Sequence, residues 1–518
     1  MYKRQGKETV QAILDGAQQI AVPALVSTLC ICIVFLPMFF LSGVARYLFV
    51  PLAEAVSFAM LASYMWSRTI VPTMAMYLLS SEDEYIPEEH RGEKQGFFRR
   101  YQQMFERNFE RFRDGYRHAL GFALEKSVLF SACFLTFCVL SGGLIFVLGR
   151  DFFPKVDAGQ IRMHFRARTG LRIEETARLA DQIDGVIRQT IPADELDTIL
   201  DNLGVPYSGI NLSYSNSGTY GTADGEILVQ LNEKRGRPTS EYINEFRERL
   251  PQEFPGVQFF FQPADIVTQI LNFGSPAPID VAVMGNNQVG NFAVAQKLAG
   301  QMRHIPGAVD VHVQQAFDGP TLHMDMDRTR LQTVGLQAKD VASNLLVSLS
   351  SSFQTAPAFW LDPKNGVSYS VAVQTPQYRV DSWQALQNTP VNNSTPGGAS
   401  QIIGNLTTTT ATTRPAVVSH YNVQPMINVY AAVNGRDLGG VSDDVAKLVH
   451  NVEPQLPRGS HIVIRGQVQT MKSSFEGLAL GLVGAIVLVY LLIVVNFQSW
   501  LDPFIIITAV SYTHSRCV

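Results

Sequence analysis

The chain is short of charge. Of its 518 residues only 17% are Asp, Glu, Lys or Arg, against about 25% in an ordinary soluble protein, while 46% are hydrophobic. That deficit points to a membrane, yet the mean hydropathy is only +0.07, so a large water-exposed part must dilute the apolar segments. Neither sign of charge dominates: 41 basic residues against 45 acidic ones leave a net charge of −4, and no global field favours nucleic acid. Cysteine is missing from the long polar middle. Cys30, Cys32, Cys133 and Cys138 lie in apolar runs and Cys517 near the end, so no disulfide framework is available to the polar middle. The four in apolar runs read as small hydrophobes, and Cys30 and Cys32, two apart, splay on a helix instead of joining at a metal. Nucleophile constellations and zinc spacings are also missing, and Gly439-Gly440 lacks the following Lys and Ser/Thr of a phosphate loop. Direct ATP use, a cofactor and enzyme activity are therefore not expected.

What the chain does have is long apolar runs and, at about 150 residues per domain, length for three or four domains. A bilayer core needs about 20 apolar residues in a helix, and residues 21–42 contain no charge across a run of that length, one clean span. Residues 50–79 are long enough but carry Glu54, Arg68 and Pro72; 127–148 and 478–495 are clean; 503–510 is too short to cross. The polar start, 1–19, does not fit a signal peptide. The 80–126 connection holds Arg91, Lys94, Arg99, Arg100, Arg107, Arg111, Arg113, Arg117 and Lys126, whereas 43–49 holds only Arg46. By the positive-inside rule that connection is cytoplasmic, and 149–477 lies outside, in a periplasm-like space. Within the 80–126 connection Phe97, Phe98, Tyr101, Met104, Phe105, Phe109, Phe112 and Tyr116 recur at helical spacing between arginines. That pattern reads as an amphipathic helix on the inner membrane face, or one docked against the spans.

The outside part reads as a repeat of strands and helices. Strands at 160–169 and 196–204 flank a helix at 172–191; strands at 225–234 and 257–263 flank one at 239–254. The same pattern recurs at 277–285, 291–305 and 308–315, and at 426–433, 439–452 and 461–466. Four such units in pairs imply two split β-α-β subdomains. An insert at about 318–421, rich in Thr, Ser, Asn and Pro, holds a strand at 322–327, a helix at 337–350 and a hairpin around Asn365-Gly366, and is read as a small folded subdomain.

Certain segments carry a resemblance to a known family. They are 16–37 (GAQQIAVPALVSTLCICIVFLP), Gly43, Phe49-Val-Pro-Leu-Ala53, Asp151-Phe-Phe-Pro154, Val334-Gly-Leu-Gln-Ala-Lys-Asp340 and Phe497-Gln-Ser-Trp-Leu-Asp-Pro503. In that order and spacing the chain resembles the resistance-nodulation-division transporters, in particular the hydrophobe/amphiphile efflux permeases. The resemblance implies a twelve-span permease of about twice this length, built from two similar halves, with this chain as its middle-to-later portion. The fold it implies is an α-helical polytopic membrane protein with a large α+β periplasmic domain of split β-α-β (ferredoxin-like) porter subdomains and an inserted docking subdomain. The divisions are a cytoplasmic segment 1–20, two spans within 21–79, a cytoplasmic region 80–126 and a span 127–148. Porter subdomains follow at 149–275 and at 276–316 with 425–467, around a docking subdomain at 317–424; a span at 478–495 and a truncated one at 503–510 end the pattern. Residues 1–5 and 511–518 read as foreign flanks of a fragment.

The implied function is proton-driven export of hydrophobic or amphiphilic compounds from a bacterial inner membrane. The implied partners are the lipid bilayer, two further copies in a homotrimer, a periplasmic adaptor and an outer-membrane channel. The family's proton-relay residues lie outside this chain. Asp443-Asp444 is its one adjacent aspartate pair, and it reads as acids favouring the start of an outside helix. Arg68 is the buried-looking charge: it either snorkels or pairs with an acid in the other half and tunes the relay. In the resemblance the loop 204–222 separates two pockets of the porter domain. It carries Tyr207, Ile210, Leu212, Tyr214 and Tyr220 between Leu200 and Leu228, an apolar and aromatic lining suited to amphiphiles; the plainer reading of each is core packing. Phe259 and Phe261 share a strand face and read as core. A metal-exporting permease is the alternative, which would want clustered soft ligands; outside there is no cysteine, and Met324 and Met326 share a strand face opposite His323. A membrane-anchored binding or sensory protein is the rival from another class.

Overall fold

The computed structural model describes residues 9–41, 43–78, 97–144, 148–153, 156–205, 218–272, 274–393 and 400–508. Four helices come first: α1 Thr9–Val34, followed by a tight turn of helix Leu36–Phe40, α2 Gly43–Leu78, α3 Phe97–Glu125 and α4 Ser127–Gly143. Among the described residues three helical stretches are long and apolar enough to cross a membrane, Val10–Phe40, Ala45–Tyr77 and Gln467–Phe497. Of the expected span at 127–148, α4 covers 127–143. α4 has 17 residues, at the lower end of what can cross, and 145–147 lie outside the described residues.

β1 Gln160–Arg166, β2 Leu196–Leu203, β3 Asp224–Leu231 and β4 Gln258–Gln262 form an antiparallel sheet in the order β2-β3-β1-β4. α5 Ile173–Thr190 and α6 Thr239–Glu253 cover one face. Strand alternation sends Ile161, Met163 and Phe165 of β1, with Ile227 and Val229 of β3, onto that face, where they meet Ile183, Ile187, Tyr242 and Phe246 of the helices. Gly225 of β3 leaves room for the Phe165 ring, which a Cβ there would strike. Phe261 belongs to this core, with Phe259 packed against it.

β5 Ile279–Met284, α7 Gln288–Met302 and β6 Ala308–Val313 begin a second sheet. The insert follows, with β7 Gly319–Met326, α8 Ala338–Ser350, the hairpin β8 Ala358–Leu361 and β9 Ser368–Val371, the pair β10 Pro390–Asn392 and β11 Ser400–Ile402, and β12 Thr407–Arg414, which pairs β7. Its own core gathers Leu331, Leu336, Val341, Val391, Ile403 and Leu406, with Met324 and Met326 packed against it. β13 Ser419–Tyr421, β14 Gln424–Val433, α9 Leu438–Val452 and β15 His461–Arg465 then complete the second sheet, ordered β13-β14-β5-β15 with β6 also on β14.

The last long helix, α10 Gln467–Phe497, starts well before the apolar run that announces it. Its first turns belong to the second sheet's core: Val468 and Met471 pack with Val281, Val283, Leu298, Val441 and Val445. Those polar-looking turns are helical because they bury against the sheet, a packing that hydropathy along the chain does not register. Further along, α10 closes on the Leu36–Phe40 turn. A Cβ on Gly481 would lie 2.6 Å from Pro37 Cα, and one on Gly477 2.8 Å from the Phe40 carbonyl oxygen. Gly477, Gly481 and Ala485 are four apart and so share one helix face. One continuous helix thus joins the second sheet to the bundle of α1, α2 and α10.

Candidate substrate pathway on the outer face of the first sheet

The face of the first sheet turned away from its helices is built by the alternate residues of each strand. β1 contributes Arg162, His164 and Arg166; β3 contributes Asp224, Glu226 and Leu228; β4 contributes Phe260; and β2 contributes Leu200. Leu200 and Leu228 are direct cross-strand partners. They line a cavity of about 540 Å³ together with Arg162, Glu226, Gln230 and Gln269. Leu200 is 54% exposed, so both leucines face the cavity and the core-packing reading does not hold for Leu200. The lining is mixed, because Arg162 Nε donates to Glu226, and both of these side chains are nearly buried.

Next to the cavity is a second charged group that the sequence reading did not single out. Arg166 donates to Asp224 Oδ1 at 3.0 Å, His164 Nε2 lies 3.6 Å from the same oxygen, and the Tyr220 backbone N–H donates to Asp224 Oδ2 at 3.2 Å. Burial alone would raise the Asp224 carboxyl; the His164 hydrogen bond and the Arg166 charge outweigh it and hold Asp224 below the usual carboxylate range. The Arg166 guanidinium also lies over the Tyr220 ring at 4.3 Å, which fixes the far end of the 204–222 loop. Tyr207, Ile210, Leu212 and Tyr214 of that loop lie outside the described residues.

The same face continues into the second sheet through rings in contact, the first two pairs stacked and the last edge-on. His164 and Phe260 have centroids 4.4 Å apart, Phe260 and His312 3.7 Å, and His312 and Tyr430 5.7 Å. His312 is fully enclosed, its Nδ1 donating to the Asp310 carbonyl at 2.7 Å, and burial pulls its imidazole down to about 3. Behind it Asn428 donates to Asp280 at 2.8 Å and accepts from Gln315 at 2.9 Å. Burial pushes the Asp280 carboxyl up to about 6. A further cavity of about 760 Å³ opens between the sheets, bounded by Arg166, Gln258, Phe292, Arg303 and Asp318.

The remaining singled-out residues fall elsewhere. Arg68 is half-buried on α2 and donates through Nη1 to the Ala17 carbonyl of α1, so among the described residues its hydrogen-bond partner is a backbone oxygen. Asp443-Asp444 does not begin its helix: α9 is capped by Asp437, whose side chain accepts from Gly440 N at 2.8 Å. The pair sits in the second turn, where Asp444 bridges Arg436 at 2.8 Å and Lys447 at 2.9 Å, and Asp443 pairs with Arg150. The helix starts earlier than expected because Leu438 is buried in the core and Asp437 satisfies the free N–H groups. Among the described residues no group of three or more His, Cys, Asp or Glu side chains could hold a metal ion.

The family described as AcrB/AcrD/AcrF matches residues 1–515. The chain belongs to the AcrB/AcrD/AcrF family. This is a family of resistance-nodulation-division efflux permeases, which are transporters and not enzymes. Curated relatives include Protein HelA of Legionella pneumophila, 23% identical over 510 residues, covering 97% of this chain and 45% of that protein. They also include the cobalt-zinc-cadmium resistance protein CzcA of Cupriavidus metallidurans, 22% identical, covering 98% and 45%. The multidrug resistance protein MdtC of Klebsiella pneumoniae is 22% identical, covering 97% and 46%. A solved heavy metal efflux pump shares the fold with a TM-score of 0.68 at 20% identity, covering 97% of this chain and 47% of that one. The chain spans just under half the length of the curated relatives it matches.

Proposed function

We propose that this chain forms part of an inner-membrane efflux permease that exports metal cations, driven by protons. Membership in the AcrB/AcrD/AcrF family supports export. The observation that carries the cargo class is the alignment of 98% and 91% of this chain with under half of cobalt-zinc-cadmium and nickel-cobalt resistance proteins, together with the shared fold of a heavy metal efflux pump. In this reading the sheets β1–β4 and β5–β15 are porter subdomains on the periplasmic side, and the insert docks toward an outer-membrane channel. The working unit is a homotrimer with a periplasmic adaptor. Leu200, Leu228 and the loop bearing Tyr207, Ile210, Leu212 and Tyr214 line the pathway, and Arg68 tunes the relay.

A second reading, export of amphiphiles, is favoured by one specific observation. The cavity at Leu200 and Leu228 presents apolar surface, and the carboxylates beside it, Glu226 and Asp224, are each engaged by an arginine, which opposes cation capture. Growth of an exporter-deficient bacterium carrying the complete gene separates the two. Raised tolerance to cobalt, zinc or cadmium supports metal export; raised tolerance only to amphiphilic dyes or detergents transfers the function to the second reading; no change in either rejects export.

A further inference from the structure

We propose that Asp310 is the pin of a joint between the two sheets: held by Arg247 of α6, it keeps the β4 and β6 edges together while preventing them from pairing, and its release lets the sheets part. Among the described elements β4 and β6 are where the two sheets meet to any extent. β4 is the last strand of its sheet and β6 pairs only with β14. Both therefore present an unpaired edge, and unpaired edges in contact tend to zip into one sheet. No ladder joins these two among the described residues. The interruption is local. In β6, His312 pairs Tyr430 and Val309 pairs Ala432, so Asp310 and Val311 form a bulge opposite the one residue between. Asp310 absorbs the extra residue with a left-handed φ of +56°, and a bulge of that kind re-aims a side chain.

The re-aimed carboxylate crosses the seam. Arg247 Nε donates to Asp310 Oδ1 at 3.1 Å and Nη2 to Oδ2 at 2.6 Å, a two-pronged pair in which the Asp310 side chain is 6% and that of Arg247 20% exposed. The Phe261 backbone N–H of β4 donates to the same carboxylate, which occupies a donor that strand pairing would use. One turn back along α6, Asn244 Oδ1 accepts from Arg247 Nη1 at 3.1 Å and from Nδ2 of Asn434, just after β14, at 2.9 Å. The Asp310 carbonyl receives His312 Nδ1, and the His312 ring stacks on Phe260 of β4. One residue thus holds the helix side of the seam through its carboxylate and the ring side through its carbonyl. Backbone strain held in place by surrounding contacts is a mark of switch regions. Arg247 and Asp310 also wall a cavity of about 420 Å³ with Phe259, Phe261 and Arg303, so parting of the sheets opens a space beside the pathway. That gating role rests on the export reading; the joint itself does not.

The test is hydrogen exchange of the full chain in detergent, comparing wild type with R247Q, R247K and D310N. It reads the facing strands β4 and β6 against β1 and β5, inner strands of the same two sheets. R247Q leaves a buried carboxylate without its cation, so exchange in β4 and β6 should rise about tenfold or more, the worth of a charge-assisted hydrogen bond. D310N, an isostere that tolerates the same φ, gives a smaller rise, and R247K, which keeps the charge but loses the fork, falls between R247Q and wild type. β1 and β5 stay unchanged. Maleimide modification of V257C, on the wall of the same cavity and read on its own peptide, accelerates in the R247Q background by a similar factor. Unchanged exchange in β4 and β6 overturns the proposal. So does a rise shared equally by β1 and β5, which marks loosened folds instead of a parted seam. Faster exchange in β4 and β6 beside unchanged V257C reactivity overturns the opening of the cavity. Absence of any export by the complete permease overturns the export reading and the gating role with it, whereas the exchange measurement decides the joint in either case.

Discussion

Replacing Gly481 by alanine tests the contact that ties the end of the first apolar segment to the last long helix. A Cβ at that position would lie 2.6 Å from Pro37 Cα and 2.7 Å from Pro37 Cβ. Carbon atoms rest at about 3.5–4.0 Å, so α10 and the Leu36–Phe40 turn must separate by roughly 1 Å. The obstacle is backbone and a proline ring, so no side-chain rotation relieves it, and the neighbouring Gly477 contact with the Phe40 carbonyl is opened by the same movement. Overpacking of this kind costs about 1–3 kcal/mol. Gly484, three residues on, has nothing within 4 Å of its Cβ position, and alanine there is expected to be neutral or slightly stabilising, by up to about 1 kcal/mol of helix propensity. The assay is the fraction of full-length chain remaining monodisperse in detergent after a heating series. Equal thermal resistance of G481A and G484A would refute the close approach of α10 to Pro37.

Three further outcomes follow from the soluble part and from Arg68. His312→Phe keeps the ring stack but removes a titrating group whose folded value, about 3, lies below the ordinary 6.5; a depressed group stabilises above its unfolded value and loses that as pH falls. The stability difference between wild type and H312F, measured by urea unfolding, should therefore shift against the wild type by about 1.4 kcal/mol per pH unit from about 6.5 towards 3. Comparing variants cancels the opposite trend of Asp280, raised to about 6, which favours the fold as pH drops; a pH-independent difference rejects the enclosed neutral imidazole. Asp437→Ala removes the α9 cap and the acceptor for Arg150 N at 2.9 Å, an expected loss of about 1–2 kcal/mol visible as faster hydrogen exchange in the first turn of α9, whereas D443A breaks only an exposed pair and shifts stability by less than about 1 kcal/mol. Arg68→Leu in the complete protein should impair export while leaving expression intact, and unchanged efflux disposes of its proposed role.

Where apolar and polar side chains alternated along a strand, or recurred at helical spacing, the element was legible from the residues alone. β1 carries Ile161, Met163 and Phe165 on one side and charged residues on the other, and the strand can be read from that. The partners on its outer face could not be. Arg166 and Asp224 are 58 residues apart and meet through antiparallel register, which alternation within each strand does not specify. Hydropathy marked the membrane part of α10 but not its start at Gln467, because the burial there is supplied by another domain's core. α9 begins at Leu438, one residue before the expected 439–452, because Leu438 is already buried in the core and Asp437 caps it, a contact that spacing along the helix does not reveal. The cargo was the least legible feature: the two leucines of a mixed cavity and the arginine-engaged carboxylates favour amphiphiles, whereas the relatives named as metal resistance proteins favour metals.

The most direct test is accumulation of radiolabelled cobalt, zinc and cadmium by exporter-deficient cells carrying the complete permease, with and without a protonophore. The account predicts lower cation accumulation, with the difference abolished when the proton gradient collapses. Cation levels identical to those of cells lacking the gene would contradict it.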